Sequence, residues 1–161
     1  MATQVTNITY TTSPGGLQVQ ADLTSLALSA MSSAQVAALP NKAIMTMTGD
    51  RMQAIQPTAI AGLTPSQMSL LSSDALRAMQ PTQLANLTTT QMVALRPVQI
   101  AQMTTTQIAA LSPSQLNALK SPQIRALTTL QIANIPNAKL ASISETNLSW
   151  LTPAQMPGLT S

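Results

Sequence analysis

The side chains that usually carry catalysis are nearly absent from this chain. It has no Cys, no His and no Phe, one Tyr, one Trp, and only four acids: Asp22, Asp50, Asp74 and Glu145. Metal sites built from His or Cys therefore have no ligands, and no two carboxylates stand at the spacing of a paired acid and base. Ser and Thr are abundant, but no His is present to activate one as a nucleophile. Neither an enzyme activity nor a cofactor is expected.

What the hydroxyls do at their spacing is cap helices. In Leu63-Thr64-Pro65-Ser66-Gln67-Met68, Thr64 suits an N-cap and Pro65 the first helical position, where its missing N–H is not needed. Gln67 stands three residues past the cap, where its side chain can return to the cap N–H and complete a capping box. Leu63 before the cap and Met68 after it are the partners of a hydrophobic staple. The same chemistry recurs at Thr88 with Gln91 and at Thr104 with Gln107. Ser or Thr holds the cap position in eleven of seventeen consecutive octapeptides and Gln the third helical position in ten, so the motif is the building rule of the chain.

The frame runs from Leu23 to Leu159, approximately Leu-Thr-Pro-x-Gln-Ile-x-Ala. Two columns in it are always apolar. One passes through Leu63, Leu71, Leu87, Leu95 and Leu111; the other, five residues on, through Met68, Leu76, Leu84, Met92, Ile100, Ile108 and Leu116. In one continuous helix these columns would drift by about 80° per octapeptide, and the recurrent prolines would break it. A β-helix fits less well, because spacings of five and three put large side chains on opposite faces of a strand. The expected fold is mainly α: a solenoid of short helical turns, one α or 3₁₀ segment per octapeptide, in which every unit packs on its neighbours. Two buried aliphatic side chains cannot offset the entropy of ordering eight residues, so no unit folds alone. Pro65, Pro81, Pro97 and Pro113 recur every sixteen residues and point to two octapeptides per coil; Pro57 and Pro81, twenty-four apart, keep three open. Ala30, Ala38, Ala54, Ala78, Ala94, Ala110, Ala118 and Ala126 would let backbones approach closely.

Residues 1–22 depart from the frame, which occupies 23–161. Alternation through Val5, Ile8 and Tyr10, the turn signal Ser13-Pro14-Gly15-Gly16 and Leu17-Gln18-Val19-Gln20 predict an N-terminal β-hairpin, either a cap on the first coil or a docking segment. Near the other end Trp150, Met156 and Leu159 are candidate interface residues.

Charged residues make up 7% of the chain and the formal net charge is +3. Arg51, Arg77, Arg96, Lys120, Arg125 and Lys139 occupy different frame positions, which reads as sparse solubilising charge with no single stripe. With no stacking aromatics beside them, nucleic acid is not an expected partner. A Thr, Ser, Gln and Asn surface of low charge favours self-association. No segment is long and apolar enough to span a membrane, and Met1 to Gln20 lacks the features of a signal peptide.

The runs Leu87-Thr88-Thr89-Thr90-Gln91-Met92-Val93-Ala94 and Met103-Thr104-Thr105-Thr106-Gln107-Ile108-Ala109-Ala110 resemble the LTxxQ-type octapeptide arrays of large proteobacterial surface or secreted proteins. That resemblance implies an extracellular or cell-surface structural role and transfers no catalytic residue. The functional expectation is a repeat protein that associates with itself, end to end, into a filament or surface fibre. The alternative is a non-polymerising adhesin or stalk that binds a glycan or other polymer, with ice binding through the threonines as a narrower version.

Overall fold

The computed structural model describes residues 9–13, 16–20 and 25–159. Thr9–Ser13 (β1) and Gly16–Gln20 (β2) run antiparallel, with Thr9 opposite Gln20 and Ser13 opposite Gly16. Val5, Ile8 and the turn residues Pro14 and Gly15 lie outside the described residues, so the expected hairpin and its role as a cap or docking segment are not established by these two strands.

From Ser25 on, the chain is a repeat protein of helical units. The first are α1 (Ser25–Ser29), α2 (Ser33–Ala37), α3 (Asn41–Met45), α4 (Gly49–Ala54) and a 3₁₀ turn, η1 (Ile60–Gly62). Then come α5 (Pro65–Leu70), α6 (Ser73–Ala78), α7 (Pro81–Ala85), α8 (Thr89–Ala94), α9 (Pro97–Gln102) and α10 (Thr105–Ala110). The last are α11 (Pro113–Ala118), α12 (Ser121–Ala126), α13 (Thr129–Ala133), α14 (Asn137–Leu140), α15 (Glu145–Ser149) and a second 3₁₀ turn, η2 (Met156–Leu159). None is long and apolar enough to cross a membrane.

Each unit stops for a local reason. In α10 the cap Thr104 is extended (φ −71°, ψ 157°), and Leu111 after the helix is extended again (φ −58°, ψ 141°). The pair Leu111-Ser112 thus forms a two-residue corner before α11, whose cap Ser112 has ψ 159°. An isolated helix this short would not survive in water, so its stability comes from the packing of its neighbours.

That packing corrects the expected coil. Helix meets helix at a separation of three units: α4 on α1, α5 on α3, α6 on α4, α8 on α5, α9 on α6, α10 on α7 and α13 on α10. Their starts are twenty-four residues apart, as with Pro65 and Thr89, or Pro81 and Thr105. Three octapeptides, not two, therefore make one layer. A two-sided layer would require each corner to reverse the chain, whereas two extended residues between helices of about 9 Å turn it less sharply. The sixteen-residue recurrence of proline reflects only that any unit accepts proline at its first helical position.

The helices consequently stack in three rows, with both apolar columns pointing inward. Leu63, Leu71, Leu87, Leu95 and Leu111 are at most 4% exposed, and Met68, Leu76, Leu84, Met92, Ile100, Ile108 and Leu116 at most 1%. Continuity fails near the C-terminal end, where Leu148 and Met156 are 36% and 50% exposed although they hold the same frame position. Ala54, Ala78, Ala94, Ala110, Ala118 and Ala126 are half-buried between units, while Ala30 and Ala38 are exposed. In the two 3₁₀ units the approach is closer still: a Cβ on Gly62 would stand 1.9 Å from the Ser33 carbonyl oxygen, and one on Gly158 2.6 Å from that of Thr129.

Candidate functional site

The part of the molecule with the most specific chemistry is a ladder of glutamine side chains inside the stack. Gln107 shows one rung. Its Oε1 accepts from the Thr104 N–H at 3.0 Å, while its own N–H donates to Thr104 Oγ1 at 3.1 Å, which completes the capping box. Its Nε2 then donates to the carbonyls of Leu76 and Met79, each at 2.9 Å, in the layer before. These carbonyls end α6, where that of Leu76 already accepts from the Met79 N–H at 3.2 Å while that of Met79 lies beyond the helix. One amide thus starts its own helix and terminates another.

The geometry repeats with fixed offsets of 31 and 28 residues. Gln83 reaches Met52 and Ile55, Gln91 reaches Ile60 and Leu63, Gln99 reaches Met68 and Leu71, and Gln115 reaches Leu84 and Leu87. Gln67, Gln123, Gln131 and Gln155 do the same. All nine are 1–4% exposed, so they belong to the interior and not to the polar surface that the composition suggests. No buried side-chain nitrogen or oxygen among the described residues lacks a partner, which is the condition for such a network to stabilise.

Both halves of the expected box form at Thr64 with Gln67, Thr88 with Gln91, and Thr104 with Gln107. At Gln80, Arg96 and Lys120 only the return bond to the cap N–H is made, from Gln83, Gln99 and Gln123. The glutamine therefore matters more to the unit than the hydroxyl. Nothing in the capping pattern foretells the donor half of the rung, although one signal is present. A surface capping box accepts Glu as readily as Gln, yet no unit has Glu at this position.

Three departures from glutamine are matched by changes elsewhere. Lys139 is half-buried and donates through Nζ to the carbonyls of Ala109 and Leu111, so it is not the surface lysine its charge implies. It has no acceptor to offer a cap, but its cap is Pro136, which has no N–H. Asn147 donates to Leu116 and Asn117, and the Ser144 N–H that a longer side chain would serve is taken by Asn117 Oδ1 at 2.8 Å. Where Ala75 offers nothing, Ser72 Oγ donates to the Met47 carbonyl at 3.3 Å.

The ladder has a direction: from Gln67 on, every rung donates to the layer before it. At the C-terminal end, the carbonyls of Ile135, Ile143 and Leu151 accept from no side chain among the described residues, whereas the equivalent Leu127 accepts from Gln155 at 2.6 Å. They border an apolar cavity of ≈ 20 Å³ lined in part by Ile132, Ile135, Leu140, Ile143, Leu148 and Leu151. Of the candidate interface residues, Met156 is exposed, while Trp150 and Leu159 are partly buried against the core. Tyr10 lies on β1, far in sequence from that end, and Val5 and Ile8 lie outside the described residues.

The repeat is similar to one already described as a family. The ALTTAQ repeat model matches residues 73–105 and 100–137. These overlapping matches place residues 73–137 in a repeat-type family, across the stretch where the glutamine rungs are most regular. No curated protein and no solved structure matches the chain.

Proposed function

We propose that the protein is a structural solenoid with three octapeptides per coil that associates with itself, end to end, into a filament or cell-surface fibre. The observation that carries this reading is the direction of the ladder. Because each rung donates to the layer before it, a layer recognises another layer of the same construction, in the same chain or in a second copy. A head-to-tail contact of this type does not close and yields an open fibre. Exposed Leu148 and Met156 at that end and exposed Leu26 in α1 supply apolar surface for it. The β1 and β2 strands would act as cap or docking segment at the opposite end, and the extracellular or surface location follows the resemblance of the octapeptides to surface arrays.

Light scattering and negative-stain microscopy across a wide concentration range test the proposal. Elongated particles that shorten in Leu148→Lys are expected; monodisperse monomers at every concentration would overturn it. The second reading, a stalk that binds a polymer without polymerising, is favoured by the exposed Arg77, Arg96, Lys120 and Arg125 on the row of α6, α9 and α12. Its ice-binding version loses support from the coil. Thr88 to Thr90 belong to the row of α5, α8 and α11, and Thr104 to Thr106 to the row of α7, α10 and α13, so the two runs lie on different sides.

A further inference from the structure

The layers are not tied to one another equally. Counted from α1, the first layer is α1 to α3, the second α4, η1 and α5, and the third α6 to α8. The rung positions aimed at the three corners of the second layer are Gln83, Gln91 and Gln99, and all three donate. Those aimed at the third layer are Gln107, Gln115 and Gln123, again all bonded. By the same offsets the first layer falls to Ala59, Gln67 and Ala75. Both alanines are buried and have no side-chain donor to give.

Gln67 is therefore the one side chain among the described residues that reaches the first layer from a later one, through the carbonyls of Val36, Ala37 and Leu39. At the third corner Ser72 reaches only Met47, which already precedes α4. Inside the layer α3 is weakly started as well: its cap is Pro40, which makes no side-chain cap bond, and Ala43 stands where a box glutamine would. Contact holds the layer instead. α1 packs on α4, α2 on η1 and α3 on α5; Leu28, Val36 and Ile44 are fully buried, and Gly62 lets η1 close on Ser33.

We propose that α1 to α3 is a detachable layer, which opens as one unit from α4, η1 and α5 while the chain from α4 onward stays folded. Separating the second layer from the third, or the third from the fourth, gives up three rungs. Opening before α4 gives up one. Each hydrogen bond surrendered to water lowers the open population about fivefold, so two rungs of two bonds each make this seam at least about a hundredfold easier to open than its neighbours. Hydrophobic contact is non-directional and similar at every seam, so the rungs decide where the stack parts. The device is a lid. Its release uncovers the side of the second layer on which Met52, Ile60 and Met68 are now fully buried, together with the Gln67 amide.

Hydrogen exchange of the full chain, read on peptides by mass spectrometry at a series of low urea concentrations, tests the proposal. Residues 25–46 should exchange at least about a hundredfold faster than residues 89–118 and share one dependence on urea, as a cooperative unit does. Their rate should be the same at protein concentrations about a hundredfold apart, because the opening is unimolecular, whereas release of an end-to-end contact depends on concentration. Gln67→Leu should speed exchange of 25–46 by a further tenfold or more, as expected for about two lost bonds, and leave 89–118 unchanged. Ala75→Gln, which supplies the missing rung where α3 leads into α4, should slow it about tenfold, a response that residue-by-residue fraying would not give. Equal protection of the two regions, separate urea dependences within 25–46, a concentration-dependent rate, or an equal response of both regions to Gln67→Leu would overturn the assignment. So would an Ala75→Gln chain whose residues 25–46 exchange no more slowly.

Discussion

The regular middle of the stack and the two units that follow Ile135 obey one frame but solve it differently. Between Gln83 and Gln131 every unit satisfies its cap N–H and two carbonyls of the preceding layer with one glutamine. In the two units after Ile135 the task is divided: Lys139 supplies donors where Pro136 needs no acceptor, and Asn147 shares its work with Asn117, before Gln155 makes the complete rung again. The two regions differ in how many obligations fall on one side chain. What is matched in these units is therefore the need of the cap and of the carbonyls in the layer before for partners, and not the identity of a residue.

The comparison can be broken most severely through the column both regions share. Ile108→Asp should cost about 4–5 kcal/mol in urea denaturation by placing an unpaired charge at a fully buried site, whereas Thr105→Asp in the first turn of the same helix should change stability by less than about 0.5 kcal/mol. Equal effects would contradict the frame.

Gln107→Leu keeps the volume and removes the bonds, leaving the Thr104 N–H and the Met79 carbonyl unpaired. A loss of about 3 kcal/mol is expected, against about 1 kcal/mol for Lys139→Leu, where only carbonyls lose a partner at a half-buried site. Similar losses would show that the obligations do not differ. Gly158→Ala should cost about 1–3 kcal/mol, because the new Cβ meets the Thr129 carbonyl oxygen and the Ile132 side chain. Hydrogen exchange should confine the effect to α13 and η2.

The smallest expected effect is the most discriminating. Lys139→Gln should alter the denaturation midpoint by less than about 0.5 kcal/mol equivalent, since Pro136 offers no N–H for the new Oε1 to accept. The reverse exchange, Gln107→Lys, should cost about 2 kcal/mol because the Thr104 N–H loses its acceptor. A large loss at Lys139 would refute the division of labour.

Legibility in the sequence followed the range of the forces. The caps at Thr64, Thr88 and Thr104, the burial of Met68 and Ile108 and the helix-per-octapeptide rule involve residues within five positions of one another, so a local reading reaches them. Gln107 was legible as half of a capping box, because its bond to Thr104 spans three residues; its bonds to Leu76 and Met79 span 31 and 28, and depend on which layer lies beneath. Leu148 and Met156 hold column positions yet are exposed, because burial depends on the layers packed against a residue and not on its frame position alone.

By itself, then, the sequence determined that each octapeptide forms a capped short helix, that two apolar side chains per unit turn inward, and that no unit is stable without neighbours. The tertiary structure alone decided that three units make a layer. That number is set by the turn accumulated over successive two-residue corners, a geometric sum that no eight-residue pattern contains. From it follow the reach of each glutamine and the collection of Asp74, Arg77, Arg96, Lys120 and Arg125 on one side of the stack.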